Sequence, residues 1–163
     1  MPLKEIVESK KIDGLIKIDE TPHYLILYFD SAKVNDIISI LKNDDELSFD
    51  WLSFITAVDR KRHLEIVYFL YSTKLSHRIC IKAEVPRKNA NIPSIYKHFF
   101  GATWYENEVY DLFGVKFDGH PSPCRLFTTP DIEGHPLLKD FYSPNMILSG
   151  GEPRKPDKFK MRD

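Results

Sequence analysis

Two Gly-His-Pro triplets and one cysteine are the residues of this chain whose types come nearest to a chemical site. The triplets are Gly119-His120-Pro121 and Gly134-His135-Pro136, and Cys124 lies between them. Imidazole and thiolate groups are good ligands for zinc or iron, so one hypothesis is a metal-binding protein that uses His120, Cys124 and His135. A structural metal site generally has four ligands in closely spaced pairs, however, and these candidates are scattered without a partner motif.

The alternative interpretation is that each triplet forms a sharp corner of the chain. Glycine permits an unusual φ value, proline stops the next residue from donating a hydrogen bond, and the histidine side chain caps nearby carbonyl groups. The two cysteines, Cys80 and Cys124, offer neither a disulfide framework nor a paired CxxC motif. We therefore favour corners over a metal site.

Acidic residues form a second group with chemical potential. The apolar residues between Trp104 and Phe113 recur at helical spacing, which predicts a helix that carries Glu108 and Asp111 three residues apart. Paired carboxylates can perform acid–base catalysis. The competing interpretation, which we prefer, is that they are solvated or meet basic groups such as Arg125 and Lys139, or groups on a partner.

Motifs of independent catalysis are missing from the sequence. It contains no GxGxxG, GxxxxGK[ST], GxSxG or HExxH segment, so nucleotide binding, acyl transfer and zinc proteolysis lack their usual geometric supports. We expect no active site on this chain alone.

Composition favours one small domain without a charged binding surface. The 163 residues are 42% hydrophobic, and Lys+Arg (23) nearly balance Asp+Glu (24), so no long-range field draws the chain to nucleic acid. The longest apolar runs, 24–29 and 66–71, are far shorter than the roughly 20 residues that span a bilayer. Residues 1–20 contain no apolar signal region. A soluble or peripheral protein of the cytoplasm is expected.

The elements that must position these residues begin with a short helix around Leu3, Ile6 and Val7. Strands are predicted at 15–18 and 24–30, joined by a turn. Ser31 is expected to cap a helix that lies on one face of a sheet. The apolar positions of that helix are Val34, Ile37, Ile38 and Leu41.

Three further strands, at 51–58, 63–72 and 77–85, are predicted to form an antiparallel meander of two hairpins. Two helices follow, 94–100 after Pro93 and 104–113, with Gly114 as the C-terminal cap of the second. The predicted fold is α+β, with a small mixed or antiparallel sheet and helices on one face.

The composition changes at Gly114. Residues 114–163 hold seven of the eleven prolines and five of the seven glycines, so regular structure is expected to end there and the chain to run extended over a surface. The segment is also too apolar for a solvated linker. We therefore divide the chain into an α+β domain, 1–113, and an extended C-terminal docking segment, 114–163.

The residues from Trp104 to Pro121, followed by Arg125-Leu126-Phe127 and Glu133 to Phe141, closely resemble the signature of one family of respiratory complex I subunits. This is the family of the 30-kilodalton-type subunit, the C subunit of NADH:quinone oxidoreductase (NADH dehydrogenase). The small α+β domain predicted ahead of the signature also suits that family.

The resemblance implies a cofactor-free subunit of the hydrophilic arm, peripheral on the cytoplasmic face of the membrane. Its partners would be the large hydrogenase-like subunit with the quinone site, over which the C-terminal segment extends, and an iron–sulfur subunit. Iron–sulfur clusters, and a flavin or nickel–iron centre, would lie on partner subunits. The positions carried over as partner-binding are Glu106, Glu108, Asp111, Phe117, His120, Pro121, Arg125, His135, Pro136, Lys139 and Asp140.

The same family serves membrane-bound nickel–iron hydrogenases and complexes fed by F420H2 or ferredoxin, so the electron donor stays open. The chain also departs from the family pattern at three positions that usually hold arginine, where it has Asn107, Cys124 and Leu138. Ion pairs of those arginines are not carried over.

Overall fold

The computed structural model describes residues 2–141, which form a five-stranded sheet, a two-stranded sheet and three α-helices. Residues 142–163, the remainder of the predicted docking segment, lie outside the described residues. The helices are α1 (Leu3–Ser9), α2 (Val34–Asn43) and α3 (Ala102–Phe113). The strands are β1 (Leu15–Glu20), β2 (Leu25–Phe29), β3 (Trp51–Asp59), β4 (His63–Tyr71), β5 (Arg78–Pro86), β6 (Asn91–Pro93) and β7 (Lys116–Asp118).

The five-stranded sheet has the order β1-β2-β5-β4-β3. Strands β3, β4 and β5 pair antiparallel in sequence, which confirms the predicted meander of two hairpins. Strand β2 pairs with β5 in parallel, with Leu27 opposite Ile81, so the sheet is mixed. The β2–β5 pair places the β1–β2 hairpin beside the meander.

The three helices cover one face of this sheet. Because side chains alternate between the faces of a strand, Leu27, Tyr68 and Ile81 point to the same face and are fully buried. They belong to one hydrophobic core with Ile37 and Val109 of the helices. The α+β fold with helices on one face of a mixed sheet is confirmed.

The start of α2 differs from the prediction that Ser31 caps it. The carboxylate of Asp30 accepts a hydrogen bond from the backbone amide of Ala32 at 3.0 Å, and a 3-10 turn, Ser31–Lys33, precedes α2. Asp30 therefore caps the 3-10 turn, whereas α2 itself begins after Lys33 without a side-chain cap. Aspartate and serine side chains can both accept a backbone amide that has no partner at the start of a helix. The predicted capping residue was therefore wrong by one position, Ser31 instead of Asp30.

The predicted helix at 94–100 is wrong. The Ser94 amide donates to the carbonyl of Asp118, and the Ile95 amide donates to the carboxylate of Glu106 at 2.8 Å. Both amides therefore form tertiary hydrogen bonds. Only a single turn follows, in which the His98 amide donates to the Ile95 carbonyl. Long-range partners have outweighed the local helix signal at Pro93.

Regular structure also does not end at Gly114 as predicted. Strand β7 pairs in parallel with β6, with Phe117 opposite Ile92. Val115 and Phe117 are buried in the same core as the rest of the domain. The division at residue 113 stays a prediction, but the first residues beyond it contribute to the domain core.

Candidate partner-binding site

Helix α3 presents a polar side to the residues that follow it. Its apolar residues Val109 and Phe113 pack into the core, whereas Asn107 and Asp111, four residues apart, lie together on another side. Residues 120–141 run across that side without helix or strand, and we call them the strap. The helix is thus a platform on which the strap is fixed.

Asp111 is the central anchor of the strap. Its side chain is fully buried, and one carboxylate oxygen, Oδ2, accepts the backbone amides of Leu126 at 3.0 Å, Phe127 at 2.7 Å and Thr128 at 3.0 Å. The Thr128 hydroxyl donates to the other oxygen. One carboxylate therefore fixes three consecutive residues through their main chain.

Burial and hydrogen bonding act in opposite directions on this carboxylate. Burial by itself raises the pKa of Asp111, but the Thr128 hydroxyl and the strap amides outweigh it, so the pKa lies below its usual value. Asp111 is therefore ionised at neutral pH. Hydrogen bonds to an ionised acceptor are stronger than neutral ones.

Asn107 provides a second anchor one helical turn earlier. Its side-chain oxygen accepts the amide of Cys124 at 3.0 Å, and its side-chain nitrogen donates to the carbonyl of Ser122 at 3.2 Å. Two of the positions at which the chain departs from the family pattern, Asn107 and Cys124, thus contact one another. Asn107 was not among the predicted site residues, and nothing in its local sequence singled it out for this role.

The strap also caps the C-terminus of α3, where backbone carbonyls lack partners within the helix. His135 Nδ1 donates to the Asp111 carbonyl at 2.8 Å, and the Leu137 amide donates to the Leu112 carbonyl at 3.0 Å. Gly114 ends the helix with φ +79°, as predicted, and its amide donates to Tyr110. The second Gly-His-Pro triplet is therefore a corner whose histidine caps a carbonyl.

The far end of the strap, with the predicted residues Lys139 and Asp140, is held by Asp59 and Arg87, which sequence analysis missed. Asp59, at the end of β3, accepts the Lys139 amide at 2.9 Å and pairs with Arg87 at 2.9 Å. Arg87 also pairs with Asp140. Although burial favours a raised pKa, Arg87 and the amides of Lys139 and Lys61 hold the pKa of Asp59 at about 2.

This depressed pKa predicts acid sensitivity. The pKa of Asp59 falls from 3.8 to about 2 on folding, so its contribution of about 2 kcal/mol is present above pH ~4 and is lost as the pH falls towards 2. Urea unfolding measured between pH 6 and pH 2 should show this loss in the native protein. The loss of stability between pH 6 and pH 2 should be about 2 kcal/mol smaller in Asp59→Asn than in the native protein. The control Asp45→Asn, at an exposed position, should follow the native curve. An equally steep loss in Asp59→Asn would contradict the assignment.

Glu106, on the same helix, bonds to groups of the domain and also lies beside the strap, with its Oε2 3.9 Å from His120 Nε2. It is fully buried and accepts the Ser94 hydroxyl at 2.5 Å and the Ile95 amide at 2.8 Å. Burial raises the pKa of Glu106 above its usual value. Its two hydrogen bonds fix the turn after β6.

His120, in the first triplet, has both ring nitrogens engaged. The Ser122 amide donates to Nδ1 at 3.1 Å, which leaves Nε2 to donate to the Thr103 carbonyl at 3.1 Å. A cleft of about 330 Å³ opens between α3 and β7 beside this ring and Lys116. These two bonds fix His120 at a corner of the chain.

The metal hypothesis finds no support in this geometry. His120 and His135 each bind a backbone carbonyl, and Cys124 is exposed beside Asn107. Among residues 2–141, no group of three His, Cys, Asp or Glu side chains is arranged to hold a metal ion.

The other predicted partner-binding residues divide by exposure. Phe117 is buried in the core, and Arg125 braces the strap internally by donating to Thr128 and to the Ile132 carbonyl. Partly or fully exposed side chains belong to Glu108, Pro121, Pro136, Lys139 and Asp140. The partner-binding role of the whole set stays a prediction.

The strap displays two large apolar side chains, Phe127 and Leu137, that are 64% and 51% exposed. The backbone amides of these same residues are anchored, Phe127 to Asp111 and Leu137 to Leu112. The site is therefore a fixed main chain that presents apolar side chains outward, and exposed apolar groups of this kind make it a candidate binding surface.

The fold is that of a small α+β domain whose last helix anchors an ordered strap. The family model for the 30 kDa subunit of respiratory-chain NADH dehydrogenase matches residues 27–145, and the chain belongs to this family.

Individual relatives agree with this membership. The NADH-quinone oxidoreductase C subunit of Rhodopseudomonas palustris is 44% identical over 72% of this chain and 58% of its own length. The same subunit of Roseiflexus castenholzii is 36% identical over 78% of this chain and 75% of the relative. The 30.4 kDa mitochondrial NADH-ubiquinone oxidoreductase subunit of Neurospora crassa is 42% identical over 72% of this chain and 42% of the relative. The chain therefore spans little more than half the length of the Rhodopseudomonas protein.

Two solved structures share the fold. A trypsin-resistant fragment of Nqo5 superposes with a TM-score of 0.64 at 24% identity, covering 75% of this chain and 99% of the fragment. A chain of a membrane-bound sulfane sulfur reductase, an archaeal respiratory membrane complex, superposes with a TM-score of 0.73 at 28% identity, covering 85% and 84%. Among residues 2–141, no helix has both the length and the apolar character needed to cross a membrane.

Proposed function

We propose that this chain is a cofactor-free subunit of the hydrophilic arm of a complex I-type NADH:quinone oxidoreductase. It supports the large quinone-site subunit, beside an iron–sulfur subunit, on the cytoplasmic face of the membrane. Electron transfer runs through iron–sulfur clusters and a flavin on partner chains. Membership of the 30 kDa subunit family supports this proposal.

The observation that carries it is the strap. Ordering a segment costs conformational entropy. Hydrogen bonds from strap amides to Asp111, Asn107 and Asp59 offset this entropy loss within the subunit itself. Exposed apolar side chains on a segment that is already ordered lose little further entropy when a partner covers them. Phe127 and Leu137 are placed in this way.

The test is a double substitution, Phe127→Ser with Leu137→Ser, in the tagged full-length chain produced in its own host. Because both side chains point away from the domain, the free energy of unfolding should change by less than about 0.5 kcal/mol. Recovery of the large subunit with the tagged chain should fall about tenfold or more, as expected for exposed apolar anchors. The matched control, Ile16→Ser with Leu75→Ser, removes two exposed apolar side chains elsewhere and should leave recovery unchanged. Undiminished recovery with the strap variant would refute the proposal.

A second candidate is the equivalent subunit of a membrane-bound complex with another electron donor, such as a nickel–iron hydrogenase or a complex fed by F420H2 or ferredoxin. The likeness to a chain of the archaeal membrane-bound reductase favours it. Identification of the subunits that co-purify with the tagged chain separates the two. A flavoprotein that oxidises NADH supports the first, and a nickel-binding large subunit supports the second.

A further inference from the structure

The second face of the five-stranded sheet, which points away from the helices, has an apolar centre. We call it the outer face, and its central residues are Ile26, Tyr28, Phe54, Val67, Phe69 and Tyr71. They alternate along their strands with inward residues of the core. None of the six belongs to that core or to the partly buried residues packed against it.

The aromatic side chains of the outer face support one another. The rings of Phe54 and Phe69 stack with centroids 5.4 Å apart, and Tyr24 meets Phe69 edge-on at 5.3 Å. Phe54 is 39% exposed, and Trp51, next to Tyr71 across the strand pair, is 60% exposed. Aromatic side chains held in this way lose little entropy on binding, and they are enriched at the centres of protein interfaces.

The charges of this face are mostly neutralised within it. Lys17 pairs with Asp19 at 2.7 Å, and Glu65 pairs with both Lys82 and Arg60 at 3.1 Å. Ion pairs around an apolar centre correspond to the polar rim of an interface. A nucleic acid needs a basic surface to neutralise its phosphates, and these paired cations do not provide one.

One cation of the face has a different environment. Arg78 lies over the Tyr71 ring at 5.8 Å, and no carboxylate of residues 2–141 lies within 4.0 Å of its guanidinium. An arginine that stacks on an aromatic ring keeps its donors available for a carboxylate. The face therefore combines an apolar centre with one positive group at its edge.

We propose that the outer face binds a second protein chain that presents an apolar surface with a carboxylate opposite Arg78. The strap binds α3 and Asp59, which faces the inner side of the sheet, so the two surfaces lie on different sides of the domain. The subunit thereby joins two polypeptides. This second surface goes beyond the strap contact proposed above and does not depend on it.

The test places the photo-crosslinking residue p-benzoylphenylalanine at Thr56, which pairs with Val67 on the outer face. The tagged full-length chain is produced in its own host, and the purified complex is irradiated. One covalent adduct with a single other protein chain is expected, at an apolar segment that contains Asp or Glu. Adding Phe54→Thr should lower the adduct yield about tenfold. The matched control Ile16→Thr, an exposed apolar residue on the other edge strand, should leave the yield unchanged.

Three outcomes would overturn the proposal: an adduct with a second copy of this chain, an adduct with nucleic acid, or no adduct at all. A yield that Ile16→Thr lowers as much as Phe54→Thr does would also overturn it. The strap proposal is tested by a different experiment. If it is wrong, the Phe127→Ser, Leu137→Ser variant still co-purifies with the large subunit, and this result does not depend on the crosslinking at position 56.

Discussion

Replacing Asp111 by alanine should release the middle of the strap from α3 and lower the free energy of unfolding by about 4 kcal/mol. Hydrogen bonds to a charged acceptor are worth roughly 1.5–3 kcal/mol each, but their contributions are not additive. Three strap amides and the Thr128 hydroxyl lose their acceptor together. Urea unfolding measures the loss. Hydrogen exchange at residues 126–128 then shows whether those amides have opened.

The matched control is Glu108→Ala on the same helix. The Glu108 side chain is partly exposed, so its removal should change stability by less than about 0.5 kcal/mol and leave the exchange of residues 126–128 slow. Asp111→Asn, which keeps one acceptor oxygen, should fall between the two. Slow exchange of these amides in Asp111→Ala would show that the carboxylate does not anchor the strap.

The second large effect is expected at Gly114, where alanine meets two separate penalties. The φ of +79° lies in the left-handed region, which costs a non-glycine residue about 1–2 kcal/mol. An added Cβ would also lie 2.5 Å from His135 Cδ2, so the ring must move and its bond to the Asp111 carbonyl is lost. The combined loss should reach about 3 kcal/mol.

Two other glycines separate these penalties. Gly119 has φ +82° with nothing within 4 Å of an added Cβ, so Gly119→Ala should show the backbone cost alone, about 1–2 kcal/mol. Gly101 has φ −64° and open space, so Gly101→Ala should cost nothing. In the double variant Gly114→Ala, His135→Ala, the two losses should not add, because the clash has been removed. Equal losses for Gly114→Ala and Gly119→Ala would contradict the close approach of His135.

Local sequence patterns were sufficient to predict the strands and helices that bury one face. The alternation in β5 and the helical spacing of Val109 and Phe113 predicted both elements, since burial of a periodic apolar face is what those patterns reflect. Gly114 was correctly placed as a cap because the left-handed backbone at the end of a helix favours glycine, although the close approach of His135 had no local signal. The error at 94–100 arose because Ser94 and Ile95 bond to groups on α3 and β7 that no local window contains.

The anchors of the strap were hidden for a related reason. A carboxylate that accepts main-chain amides from a distant segment has no spacing signature, so the local pattern around Asp111 indicates a solvated or ion-paired residue rather than a buried acceptor. Asp59 and Arg87 are 28 residues apart in sequence, and the local pattern places Asp59 in a polar turn. The family resemblance pointed to the right stretch of chain, but the chemistry of each residue there required the tertiary structure.

The way Asp111 holds the strap has an evolutionary consequence. Its three bonds go to main-chain amides that every residue except proline possesses, so outward side chains of this stretch, such as that at position 127, are free to diverge without loss of attachment. A lineage can thus adapt this subunit to a new neighbour by substitutions confined to those side chains, while the same aspartate keeps the path of the polypeptide constant.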